Sequence, residues 1–122
     1  LPRYHQMFAD FPHTQRWLHN DSTARHVAPA IADSSMVAWQ YLPEIPPQEA
    51  LELTKGRVTL LGGLSPLELK DWTEEETYNN CIEVLKSFGG NSKFVLAAGG
   101  SVNQVPIENL KAMFRAADEY KI

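Results

Sequence analysis

The sequence has few of the residues and segments that would place it outside the ordinary globular class. Its single cysteine, Cys81, excludes an internal disulfide and a multi-cysteine metal site, and its place on an apolar helix face predicts an inert core thiol. No apolar run approaches the roughly 20 residues needed to cross a bilayer, and no signal-like segment stands at the start. With 11 basic and 15 acidic residues the net charge is only −4, which argues against nucleic acid as a partner. We therefore expect a cytoplasmic protein that contacts neither membrane nor nucleic acid.

The sequence does contain enough apolar material for one core. With 122 residues, 43% of them hydrophobic, the chain predicts a single domain spanning residues 1–122. Because it opens at Leu1 and not at an initiating Met, we expect a fragment of a longer protein whose remainder holds part of the function.

The stretch from Lys93 to Phe114 predicts a strand, a glycine turn and a helix in succession. Residues 94–97 form a short apolar run, as is typical of a strand covered on both faces. Gly99 and Gly100 end it, either as a tight connection only or as a place where a ligand approaches the backbone. After Pro106, apolar residues recur at helical spacing and predict a buried helix face. That face comprises Ile107, Leu110, Met113, Phe114 and Ala117.

Three further strands are predicted at residues 15–19, 35–40 and 57–61, and helices alternate with them. A leading helix presents Tyr4, Met7, Phe8 and Phe11 on one face. Asp21 is suited to cap a helix over 22–31, in which Pro29 predicts a kink or an early stop. A helix over 48–54 follows a proline-rich loop. Ser65 and Pro66 begin a short helix, and a capping box from Thr73 to Glu76 begins a longer one that Gly89 ends.

This alternation predicts an α/β fold with a parallel sheet of four βα units, which is half of a (β/α)8 TIM barrel. Half a barrel has two open parallel edges and an uncovered inner face. Pairing two copies would hide both edges, so we expect a homodimer that completes a barrel.

Three segments give the chain a resemblance to the uroporphyrinogen decarboxylase superfamily. Residues 57–66 are similar to its strand that runs into Gly-Asn-hydrophobic-Asp-Pro. Residues 94–101, with residues 105–113 after them, resemble its last strand and Pro-x-Glu-Asn-Leu helix. Residues 17–21 resemble its strand that ends in His-x-Cys-Gly or His-x-Asp-Gly. The resemblance implies a (β/α)8 barrel, of which this chain is the C-terminal half.

The resemblance implies one of two activities, decarboxylation or methyl transfer. This chain departs from the motifs of both groups of enzymes. The superfamily's decarboxylases carry a His in the last glycine turn, where this chain has Gly99, Gly100 and Ser101. Its thiol-activating methyltransferases bind zinc through a His and a Cys two residues apart plus a Cys in that turn. Here His19 matches the His, while Asp21 and Gly100 stand at the two Cys positions, which excludes a His/Cys/Cys site.

The resemblance therefore implies a fragment of a corrinoid-dependent methyltransferase, which moves a methyl group between a corrinoid protein and a small acceptor. One alternative is a uroporphyrinogen decarboxylase-like enzyme of porphyrin biosynthesis. Another, from a different class, is a structural assembly domain that is inactive when isolated, because half of the active edge is missing. Zinc is expected in the full-length protein, and no tightly bound cofactor is expected in the fragment.

The candidate site residues fall at the predicted carboxyl ends of the strands, which is the active edge of such barrels. His19 is the candidate catalytic residue; it would bind a metal with Asp21 or Glu44, act as an acid or base, or serve only as a structural hydrogen-bonding group. Asp21 as a helix cap and Glu44 as a solvated side chain are the plainer alternatives. His5, His13 and His26 belong to no such constellation. The candidate substrate-binding residues are Asp21, Tyr41, Glu44, Gly62, Gly63, Gly99, Gly100 and Ser101.

Overall fold

The computed structural model describes residues 2–91 and 93–121. Helices and strands alternate along the chain after a leading helix, as the sequence predicts. In order they are α1 (Pro2–Met7), β1 (Trp17–His19), a 3-10 helix (Arg25–Val27), α2 (Ala28–Ala32), β2 (Ala38–Gln40), α3 (Pro47–Leu53), β3 (Thr59–Leu64), α4 (Pro66–Leu69), α5 (Glu74–Phe88), β4 (Phe94–Ala98) and α6 (Ile107–Glu119).

The four strands form one parallel sheet in the order β1-β2-β3-β4. Leu18, Trp39, Leu60 and Phe94 are in register across it, so one row of side chains runs over all four strands. Consecutive parallel strands joined by helices are the repeating unit of a (β/α)8 barrel. The predicted half-barrel is confirmed.

The main core lies between the sheet and its helices. Trp39 and Leu60 on the central strands are fully buried, and Ile31 of α2 and Ala50 of α3 pack in the same cluster. A second cluster joins Leu64 and Ala98 at the strand ends to the later helices, and it includes Cys81. Burial raises the pKa of the Cys81 thiol to about 11, which suits the predicted inert core residue.

The ends of α5 are set by its sequence as predicted. The Thr73 hydroxyl accepts a hydrogen bond from the Glu76 backbone N–H, and the Glu76 carboxylate accepts one from the Thr73 N–H, which completes the capping box. Gly89 ends the helix with a φ of 56°, in the left-handed region that glycine adopts at least cost.

The predicted buried face of α6 is right in part and wrong in part. Met113 packs against the second core cluster and Leu110 is half-buried. Ile107 and Phe114 are 57% and 66% exposed and Ala117 is exposed as well, whereas Asn109, Ala112 and Ala116 are buried. Small side chains let α6 lie close against its neighbour, and the Asn109 amide is held by backbone carbonyls. The spacing of the large apolar residues did not reveal that the small residues of α6 face its neighbour.

The other differences concern element ends. α1 ends at Met7, so Phe11 lies beyond it, and Tyr4, Met7 and Phe11 are exposed. The helix predicted over 22–31 is a 3-10 turn followed by α2, with Pro29 in the first turn of α2, where its missing N–H costs nothing. β3 continues to Leu64, three residues past the predicted end.

The inner face of the half-barrel is uncovered, as predicted. Trp17, Val37 and Val95 are 61%, 46% and 47% exposed. Together with Thr59 and Leu61 they border a shallow groove of about 240 Å³. Within residues 2–91 and 93–121, no helix has the length and apolar character to span a bilayer.

Candidate active site at the carboxyl ends of the strands

A cleft of about 760 Å³ opens at the carboxyl ends of the four strands. Each strand contributes to it through the loop that follows: Asp21 after β1, Glu44 after β2, Ser65 after β3 and Ser101 after β4. Parallel strands bring their carboxyl ends to one edge, so loops that are distant in sequence share one cavity. The cleft has the size of a small-molecule site.

His19 and Asp21 form a close pair at the edge of this cleft. His19 is the last residue of β1, and its Nε2 lies 2.9 Å from Asp21 Oδ1. Asp21 does not cap a helix, because the following 3-10 helix begins at Arg25 and has no side-chain cap. The capping interpretation of Asp21 is therefore wrong. A carboxylate beside one ring nitrogen orients an imidazole and favours the tautomer that donates to it.

Asn20 fixes the loop that carries this pair, and sequence reasoning missed it. Its Oδ1 accepts a hydrogen bond from Trp39 Nε1 at 2.7 Å, and its Nδ2 donates to the Ser22 backbone oxygen at 2.6 Å. The loop after β1 is thereby tied to the buried tryptophan of β2. The only signal in the sequence is a polar residue directly after a strand, and it does not reveal the partner.

The loops after β1 and β4 meet across the cleft. A Cβ placed on Gly100 would lie 4.0 Å from Asp21 Oδ1. Gln40, at the end of β2, donates from Nε2 to the Ala98 backbone oxygen at 2.9 Å and so links the ends of β2 and β4. The predicted gathering of the strand ends on one edge is confirmed for these residues.

Five of the predicted site residues line the cleft together: Asp21, Glu44, Gly99, Gly100 and Ser101. His19 reaches it through its contact with Asp21. Their predicted roles in catalysis and substrate binding stay predictions.

Tyr41 does not line the cleft. Its side chain is fully buried and packs 5.6 Å from Trp39, centroid to centroid. Its hydroxyl has no hydrogen-bond partner among the described residues, and burial raises its pKa to about 12. The phenol is thus placed as part of the core beneath the cleft.

Gly62 and Gly63 lie inside β3 and not in a turn after it, so the predicted strand end at Leu61 is wrong. Both have a positive φ, 150° and 94°. A Cβ on Gly62 would lie 3.1 Å from the Tyr41 backbone oxygen, and one on Gly63 would lie 2.5 Å from Val84 Cγ1. Close packing against Tyr41 and α5 therefore accounts for both glycines.

The described residues do not fit the zinc that the family resemblance implies. No group of three His, Cys, Asp or Glu side chains among them is arranged to hold a metal ion. Cys81 is buried between helices, and position 100 has no side chain. A zinc site needs three or four protein ligands, whereas His19 and Asp21 supply two that contact each other.

Comparisons with known proteins agree with this architecture. Residues 1–120 match the family model described as "Uroporphyrinogen decarboxylase (URO-D)". No curated protein matches the chain. Among solved structures, a methyltransferase from Methanosarcina mazei matches with a TM-score of 0.81 and 26% identity, over 98% of this chain and 35% of that one. The chain thus spans 35% of the length of that methyltransferase.

Proposed function

The chain belongs to the uroporphyrinogen decarboxylase family, and from this premise we propose that its full-length protein is a corrinoid-dependent methyltransferase. The observation that carries the proposal is the similarity to a methyltransferase over nearly the whole chain. The glycine turn supports it, because Gly99, Gly100 and Ser101 place no His in the cleft where the decarboxylases have one. The acceptor is a small molecule, such as a thiol, that loses a proton when it is methylated.

In this proposal the cleft holds the acceptor and the His19–Asp21 pair takes its proton. The Asp21 carboxylate engages His19 Nε2 at 2.9 Å, which leaves the lone pair of Nδ1 to accept a proton. A methylated corrinoid supplies an electrophilic methyl group when its carrier protein docks over the cleft. The acceptor lone pair forms the new bond to carbon, the carbon–cobalt bond breaks with its electron pair left on cobalt, and the acceptor proton passes to His19.

Zinc in the full-length protein stays a prediction, and no step above uses it. Among the described residues His19 Nε2 and Asp21 Oδ1 lie 2.9 Å apart, and Glu44 lines the same cleft.

We also propose that the chain assembles as a dimer that completes the barrel. The sheet ends in β1 on one side and β4 on the other, and both are open edges. A two-fold axis along the barrel would place β4 of one copy beside β1 of the other. The same contact would cover Trp17, Val37 and Val95. The isolated chain is expected to be inactive, because its cleft has only the loops of four strands.

Methyl transfer by the full-length protein tests the enzymatic proposal. We expect transfer from methylcobalamin to a small thiol, followed by the absorbance change of the corrinoid, and a loss of about 10²-fold or more in His19→Ala. Asp21→Asn should lower the rate less, because it keeps the size of the side chain and weakens only the orientation of the imidazole. His13→Ala, an exposed His away from the cleft, is the matched control. Unchanged transfer in His19→Ala would remove the assigned role.

The family description itself favours a second candidate, uroporphyrinogen decarboxylation. Porphyrinogen turnover by the same preparation, measured by the number of carboxylates lost from the tetrapyrrole, would support that activity in place of methyl transfer.

A further inference from the structure

The two neighbouring glycines after β4 differ in what requires them to be glycine. A Cβ on Gly99 would lie 3.0 Å from both Pro43 Cδ and the Tyr41 backbone oxygen, so a side chain there would crowd the loop after β2 and force it to shift. A Cβ on Gly100 would meet only Pro66 Cγ at 3.5 Å and Asp21 Oδ1 at 4.0 Å, which are ordinary contacts. The φ of Gly100 is also outside the left-handed region. Neither packing nor backbone conformation therefore requires glycine at position 100.

A side chain at position 100 would enter the cleft. The two atoms nearest to its Cβ belong to Pro66 and Asp21, and both residues line the cavity. Glycine at this position thus keeps open a space that any other residue would fill in part. Because no contact of the fold fills that space, a ligand that occupies it would account for glycine at this position.

We infer that Gly100 is a specificity-determining residue, and that the space between Asp21 and Pro66 receives a compact methyl-bearing group without negative charge. The inference rests on the proposed methyl transfer for its substrate class and deepens it. It makes position 100 the determinant of how large a group the cleft accepts.

The lining of the cleft supports this ligand chemistry. Leu42, Pro43, Pro66 and Leu67 offer apolar contact to methyl groups. The charged side chains among the described lining residues are the carboxylates of Asp21, Glu44 and Glu68. Like charges in proximity repel, so an anion is disfavoured and a cation of the same shape is favoured over a neutral group. A volume of about 760 Å³ also exceeds what a single metal ion needs.

Three probes of nearly equal shape test the inference on the chain itself. They are tetramethylammonium, tert-butanol and pivalate, whose methyl groups surround a positive nitrogen, a carbon that bears a neutral hydroxyl and a carbon that bears a negative carboxylate. Titrated into 15N-labelled protein, tetramethylammonium should shift the amide signals of Gly100 and Ser101 at the lowest concentration, tert-butanol at a higher one, and pivalate not at all.

Substitutions at position 100 then show whether the open space beside Gly100 determines how tightly the probe binds. Gly100→Ala should weaken tetramethylammonium binding in part, and Gly100→Val by about tenfold or more, which is about 1.4 kcal/mol. Ala117→Val, which adds two methyl groups at an exposed position of α6, should leave binding unchanged. Dispersed amide spectra would establish that each variant is folded, and if the valine variant does not fold, the alanine variant alone decides.

Three results would overturn the inference: equal affinity in wild type and the folded Gly100 variants, pivalate binding as tight as tetramethylammonium, or zinc chloride binding in one equivalent at His19 and Asp21. Failure of probe binding with methyl transfer intact would reject only the role of Gly100. Failure of methyl transfer with size-dependent probe binding intact would reject only the proposed reaction.

Discussion

Asn109 offers the sharpest test of how the last helix is attached to the half-barrel. Its side chain is almost fully buried, and its Nδ2 donates to the Leu69 backbone oxygen at 2.7 Å and to the Trp72 backbone oxygen at 2.8 Å. These carbonyls lie at the end of α4 and in the turn before α5. One amide therefore joins α6 to both elements, which gives a physical reason for Asn in the Pro-x-Glu-Asn-Leu pattern of residues 106–110.

Asn109→Ala would leave the carbonyl groups of Leu69 and Trp72 without their donor. Each lost hydrogen bond to a buried carbonyl costs about 1–2 kcal/mol, so we expect the free energy of unfolding to fall by about 3 kcal/mol. For a domain of this size that lowers Tm by about 10 °C. Asn109→Asp should be at least as harmful, because it keeps the shape but brings a carboxylate against two carbonyl oxygens.

Urea denaturation followed by tryptophan fluorescence measures the change, with Asn103→Ala as the control. Asn103 is an exposed residue of the loop before α6, and its replacement should change stability by less than about 0.5 kcal/mol. A loss under about 1 kcal/mol in both Asn109 variants would refute the attachment by this amide.

Three further predictions follow from single contacts. Gly63→Ala should lower the free energy of unfolding by about 2 kcal/mol or more in urea titrations, because its Cβ would meet Val84 at 2.5 Å; a neutral substitution would contradict the close approach of α5 to β3. The hydrogen bond from the Thr73 backbone holds the pKa of Glu76 below its usual range, so its contribution to stability is present above the ordinary carboxyl pKa and lost as pH falls through the lowered value. The difference in Tm between wild type and Glu76→Gln should accordingly disappear on acidification, and a constant difference would count against the capping box. Cys81 should react with Ellman's reagent only as fast as the protein unfolds, whereas immediate reaction in native buffer would place it outside the core.

The order of elements could be predicted from the sequence because each signal is local. The apolar run at 94–97, the Gly99–Gly100 end, the Thr73–Glu76 capping box and Gly89 each act within a few residues, and each is found where it was expected. Parallel pairing then follows from the alternation of strands and helices.

The predictions that failed depend on contacts between distant segments. The burial of α6 is decided by small residues facing α5 and by the Asn109 amide, which the spacing of Ile107 and Phe114 does not reveal. Gly62 and Gly63 look like a turn in sequence, but they lie inside β3 because Tyr41 and Val84 occupy the space of their side chains.

The sequence predicted several residues that line the cleft, but not all of the side-chain contacts that hold them in place. Strand ends located Asp21, Glu44 and Ser101 on one cleft, since parallel strands share an edge. Of the partners considered for Asp21, the structure gives it His19 and not a helix terminus. Asn20, which holds their loop through Trp39, was not foreseen. These pairings depend on side-chain directions that only the folded chain defines.

Assay of one preparation of the full-length protein with two substrates tests the central proposal most directly. The proposed function predicts demethylation of methylcobalamin in the presence of a small thiol and no loss of carboxylates from uroporphyrinogen. Decarboxylation of uroporphyrinogen without any methyl transfer would contradict it.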